Sequence, residues 1–166
     1  MENTCSQNRP LLVGLCPPPD AGVDDRPLDG LAGARLLAFA GLSIPSWLRP
    51  TRVSPGDVLE AYADAVNLWP DYVARRPAMV SEARAVQMDC RGRVVVLLGR
   101  EVQRAFRSRV ANYPADFYCW TCPAKGDDAL LYVTIPHPSG LNRMFNRKEH
   151  RQWTGRVLRR AMEVVV

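Results

Sequence analysis

The chain has 166 residues, of which 47% are hydrophobic, enough for one domain with a sizeable core. Its formal net charge of +5 favours an acidic partner, nucleic acid being the commonest. No run of about 18 apolar residues occurs, and the opening stretch, with Glu2 and Arg9 among polar side chains, lacks the pattern of a signal peptide. A soluble, cytoplasmic, monomeric protein is expected.

In chain order, Pro10 to Leu15 forms a short apolar run without alternation, suited to a central parallel strand, and three consecutive prolines stop it. A polar loop follows to Gly30. From Leu31 the stretch LAGARLLAFAGL has helical spacing and ends at Gly41, which can cap it. Residues 56–65 read as a short helix or turn, and Ala65 to Leu68 as a brief strand interrupted by Trp69-Pro70. A helix from about Pro77 to Met88 leads to RVVVLLG, the clearest strand. Gly99 ends it and a helix over REVQRAFRSRV begins at once. Tyr118 to Trp120 and Ala129 to Ile135 supply further strand material, and Lys148 to Val165 a basic amphipathic helix. Strands alternating with helices imply a parallel sheet covered on both faces.

The cysteines number five and are scattered, so they form no disulfide framework. Cys119-Trp-Thr-Cys122 is the only CxxC; neither Cys5, Cys16 and Cys90 nor His137 and His150 supply a second ligand pair, and two half-buried thiols flanking Trp120 are expected. No metal is implied.

The segment after the last apolar strand, HPSGLNR at 137–143, breaks both helix and strand at Pro138 and Gly140. It reads as a strand-end loop, where α/β proteins hold ligands. Together with three earlier segments it resembles the uracil-DNA glycosylase superfamily, small α/β/α enzymes that remove damaged or unusual pyrimidines from DNA. The other segments are VGLCPPP with DRPLDGLAGARLL, similar to the family's glycine-proline loop and its R-P-x-x-G-x-A-G-x-x-L stretch; Asn67 at a strand end; and VVVLLGREVQRAF, similar to its strand-Gly-Arg-helix unit. All four occur in the family's order between Leu11 and Arg143.

The resemblance implies a three-layer α/β/α sandwich around a four-stranded parallel sheet, and a monomeric enzyme that extrudes a base from DNA and hydrolyses its N-glycosidic bond without a cofactor. It implies roles as well. Leu141 would be the wedge that fills the vacated stack, with Ser139, Gly140, Asn142 and Arg143 gripping DNA around it. Asn67, carrying both a donor and an acceptor, would pair with the edge of the flipped pyrimidine, and Gly14, Leu15 and Cys16 would line its pocket. His137 would stabilise the negative charge left on the base. Arg151, Arg156, Arg159 and Arg160 on the last helix would add non-specific attraction.

The chain also departs from the pattern. Many relatives carry Asp, Asn or Glu in the first loop to orient the attacking water, where this chain has Leu15 and Cys16. The available acids are Asp20, Asp24, Asp25 and Asp29, with Asp29 the first choice and Asp20 the next. Leu28 stands near the position of an aromatic platform for the base. Pro17-Pro18 replaces the bulky aromatic that excludes 5-substituted pyrimidines, so thymine-like, hydroxymethylated or larger modified bases are expected substrates beside uracil. The paired cysteines of the thermostable, iron-sulfur branch are missing, and no cluster is expected. The rival readings are a DNA-binding member that has lost the chemistry, a glycosylase against hypermodified bases of viral DNA in antiviral defence, and an α/β enzyme on a small phosphate or nucleotide, though no Walker loop or GxGxxG is present.

Overall fold

The computed structural model describes residues 9–22, 25–43, 54–114, 116–139 and 141–163. At its centre lies β3, Val94–Leu98, a run of five apolar residues that are all buried, as a strand covered on both faces requires. Strand β1, Leu11–Gly14, and strand β5, Leu131–Ile135, pair with it in parallel on either side, and β2, Asp64–Asn67, lies parallel beyond β1.

A fifth strand corrects the expected count of four. Among the described residues the order is β2-β1-β3-β5-β4, and β4, Trp120–Thr121, runs antiparallel to β5. The connection from β4 to β5 covers only 122–130, too short for the crossover of a dozen or more residues that a parallel pair needs. Because the pairing covers only Trp120 and Thr121, the flanking Cys119 and Cys122 fall outside it and are exposed, not half-buried as expected.

Side-chain alternation along the strands divides the core in two. Leu11, Val13, Val95, Leu97 and Tyr132 point to one face, where they meet Ala85 of α3, Ala78–Gln87, and Val102, Ala105 and Phe106 at α4, Arg100–Ala105. Leu12, Val94, Val96, Leu98, Val133 and Ile135 point to the other, against Leu36 and Ala40, Leu59, and Val157, Leu158 and Ala161 of three further helices. Helix α1 spans Leu31–Ala40 and ends at Gly41 with φ 66, the left-handed cap its sequence announces. Helix α2, Pro55–Glu60, starts at Ser54, which exchanges hydrogen bonds with Asp57 in a capping box. Helix α5 is Lys148–Glu163. These are the three layers expected.

The helix expected to run to Val110 is α-helical only to Ala105 and tightens into a 3-10 turn over Arg107–Arg109. The chain is drawn out of the helix because Val110 bridges Pro123 and the Ala111 N–H donates to the Cys122 carbonyl. Among the described residues no helix is long and apolar enough to cross a membrane.

Chain direction through the sheet reverses between β1 and β3: β1 leads outward to β2, and β3 leads the other way to β5. In parallel α/β sheets this switch point leaves a crevice beyond the strand ends. Each of the four segments singled out in the sequence contributes residues there: Leu15 and Asp29, Asn67, Gly99, and His137.

Candidate functional site

Asn67 ends β2 and His137 follows β5, so three inter-strand spacings separate them, roughly 14 Å of sheet. Two glycines bring them together. Gly14 ends β1 and Gly99 follows β3, the two strands between. A Cβ on Gly14 would stand 2.5 Å from Asn67 Oδ1, and one on Gly99 would stand 3.0 Å from His137 Cβ. The outer side chains therefore lie over bare backbone at the inner strand ends. Sheet-like hydrogen bonds hold that arrangement, from Leu68 N–H to the Gly14 carbonyl at 2.9 Å and from Gly99 N–H to the Ile135 carbonyl at 2.9 Å.

Both side chains line one cavity of about 950 Å3, with Gly14, Leu15, Cys16, Pro17 and Pro18 along one wall and Ser139 and Leu141 along another. No hydrogen bond occupies the Asn67 amide among the described residues, so its donor and acceptor are available to a ligand. His137 is oriented by its own loop. Ser139 N–H donates to Nδ1 at 3.2 Å, which makes Nδ1 the acceptor and leaves the proton of the neutral ring on Nε2. Burial lowers the His137 pKa below its ordinary value of 6.5, and the nearby Glu101 carboxylate raises it in part. The ring is thus a neutral donor near pH 7.

The rest of HPSGLNR divides into braces and exposed groups. Asn142 uses both ends of its side chain within the loop, Nδ2 donating to the His137 carbonyl at 2.8 Å and Oδ1 accepting from Met144 N–H at 3.1 Å. Arg35 of α1 donates to the Ser139 carbonyl at 2.6 Å. Leu141 is 93% exposed, an apolar side chain held in solvent at the cavity rim. Arg143 is exposed outside the cavity, and Gly140 lies outside the described residues. On α5, Arg151 and Arg159 donate to the Phe145 and Ala40 carbonyls, and Arg156, Arg159 and Arg160 are exposed.

Of the loop acids, Asp20, Asp25 and Asp29 reach the cavity, and Asp24 lies outside the described residues. Asp29 is committed to the fold: Oδ1 accepts from Ser54 Oγ and from Gly56 N–H at 3.0 Å, and Oδ2 from Arg26 N–H at 2.8 Å. Asp25 accepts from Gly22 N–H at 2.7 Å. Asp20 is exposed and has no hydrogen bond among the described residues, so its oxygens are available to a water. Asp29→Asn would put an amide N–H against one of these donors, and the melting temperature is expected to fall with a loss of about 1–2 kcal/mol. Calorimetry or circular dichroism checks it.

Leu28 lines the same cavity in a left-handed conformation, φ 69. Sequence reasoning missed other lining groups, chiefly Tyr72, Arg76 and Glu101. Arg76 and Tyr72 sit in a polar stretch after β2 that carries no motif, and Glu101 reads as an ordinary first-turn acid of α4. A signal was present for Glu101 alone, since it follows the Gly99-Arg100 pair directly. A second, smaller cavity of about 460 Å3 contains Arg109 and Asp127, but these charges pair with each other, and Tyr132 Oη donates to Asp127 at 2.9 Å. It is a structural joint.

No protein-family model matches the chain, no curated protein is significantly similar to it, and no solved structure matches its fold, so the site's own chemistry is what speaks for its function.

Proposed function

We propose that the protein is a DNA glycosylase that extrudes uracil or a 5-substituted pyrimidine and hydrolyses its N-glycosidic bond. The observation that carries this reading is the convergence of a free amide, Asn67, and a neutral imidazole N–H, His137, on one cavity. A pyrimidine presents an imide or amide edge beside a carbonyl oxygen, O2. Asn67 pairs with the edge, and His137 Nε2–H donates to O2. Cleavage of the bond leaves negative charge on the base, so the imidazole bond strengthens as the transition state forms, which is the condition for catalysis. Leu141 fills the space the base vacates. Asp20 positions water against the sugar carbon and offsets its developing positive charge. The reaction uses no cofactor.

The test is incubation of labelled single-stranded and duplex oligonucleotides, carrying uracil, thymine or 5-hydroxymethyluracil, followed by alkali to reveal abasic sites. Cleavage that is lost in Asn67→Ala and His137→Ala supports the reading. Asp20→Asn is expected to lower kcat by roughly 100-fold. Tight DNA binding without product from any base would favour the other reading, a binding module that has lost the chemistry, for which Cys16 in the first loop is the supporting feature. Base released only from hypermodified viral DNA would place the enzyme in defence against infection.

A further inference from the structure

Three arginines line the cavity: Arg26 pairs with Asp57 and Glu60, Arg100 donates to Gln103 and lies over Phe117, and Arg76 is the one with a buried donor left unmatched. Its side chain is mostly buried, with 19% exposure, yet its bonding is incomplete. Nη1 donates to the Val73 carbonyl and rests 3.5 Å from Cys16 Sγ. Nε is buried without a hydrogen-bond partner; Glu101 Oε2, at 3.5 Å, is within ion-pair range but too far for a good hydrogen bond. Nη2 has no acceptor among the described residues. With Nε buried and unmatched and Nη2 without an acceptor, the guanidinium favours an anionic or acceptor-rich ligand group, and a carboxylate suits it best.

The base orientation of the glycosylase reading sets where that group would go. If Asn67 takes the N3 and C4 edge of a pyrimidine and His137 takes O2, the C5 and C6 edge must face the remaining wall. That wall is the first loop, where Cys16 carries Arg76 against its sulfur and Pro17-Pro18 leaves room beside the ring. A methyl group placed against Arg76 would desolvate the charge and return no hydrogen bond, whereas a carboxylate would complete the pair.

We infer that Arg76 makes the site selective for pyrimidines bearing an acidic or strongly accepting group at C5, such as 5-carboxyuracil, over their 5-methyl counterparts. This inference rests on the glycosylase reading for the orientation of the base. Glu101 is the internal competitor: its carboxylate holds Arg76 when no ligand does and must be displaced or shared when one enters.

The experiment compares kcat/KM on duplexes carrying 5-carboxyuracil, thymine and uracil, and in parallel the affinity for the same duplexes made non-cleavable with 2′-fluoroarabino nucleotides. The wild-type protein is expected to prefer 5-carboxyuracil to thymine at least tenfold in both readouts. Arg76→Gln should bring that ratio close to one, Arg76→Lys should retain part of it, and Glu101→Gln should raise it several-fold. Melting curves establish that each variant is folded. A wild-type ratio of one or less overturns the inference. So does an equal loss on all three duplexes in Arg76→Gln together with a weaker salt dependence of binding, which would make Arg76 a phosphate contact. If no base is released from any duplex, the glycosylase reading fails, and the non-cleavable duplexes still decide the selectivity of Arg76.

Discussion

Gly14→Ala is expected to leave the fold intact and to reduce the proposed base excision by about 100-fold or more, the scale of removing a group that binds a reacting base. The added Cβ would stand 2.5 Å from Asn67 Oδ1, closer than any real contact, and the Asn67 side chain is the only atom group that close. Gly14 has no left-handed backbone requirement, so the methyl group adds no strain of its own. The amide must therefore swing away from the cavity while strand pairing persists. Thermal unfolding within a few degrees of wild type, with excision and affinity for a uracil-containing duplex both lost, is the predicted pattern. Full activity in this variant would mean that the position of Asn67 over β1 does not matter. Gly99→Ala is a poorer probe, because φ 96 at that residue would add backbone strain to the displacement of His137.

Removal of His137 is the second large effect. His137→Ala is expected to lower kcat by about 10²–10³-fold, as loss of a single donor to a developing oxyanion does elsewhere. His137→Gln, which keeps one N–H, should retain more. The dependence on pH follows from the loop geometry. Protonating Nδ1 would set a second donor against Ser139 N–H, so the active arrangement belongs to the neutral ring. Burial lowers the pKa from 6.5, hence kcat/KM should be flat above pH 6.5 and fall only at a lower pH. Stability follows the same sense: with the folded value below the unfolded one, the ring contributes fully above pH 6.5 and loses that contribution as pH drops through the folded value. Glu101 raises the His137 pKa, so Glu101→Gln should move the acid limb to still lower pH. An acid limb centred above 6.5 would contradict this account.

The parts of the molecule that could be read from sequence are those set by local pattern. Strands β1 and β3 are short apolar runs closed by proline or glycine, and α1 and α5 repeat apolar residues at helical spacing. The strand-end loop announced itself because Pro138 and Gly140 leave no regular structure open to it. What escaped depends on partners distant in sequence. Asp29 looks like a free loop acid until α2 supplies Ser54 and Gly56 more than twenty residues later. The antiparallel β4 follows from the length of one connection, which hydrophobic pattern does not weigh. Arg76 acquires meaning only when the chain after β2 folds back onto Cys16. Tyr118, at φ 67, packs on His150 and Trp153 of α5 through ring contacts of 5.8 and 5.5 Å, an aromatic joint no local spacing could indicate.

The bond from Arg35 to the Ser139 carbonyl joins residues 104 positions apart. Arg35 belongs to the helix that begins directly after the first loop, so the two jaws of the cleft are riveted to each other rather than hinged independently. In the proposed reaction, pressure of a duplex on the tip at Leu141 would travel through that rivet to Leu28 and Asp29 on the opposite jaw. Under the proposed reading, insertion of Leu141 and tightening around an extruded nucleotide would be a single mechanical movement.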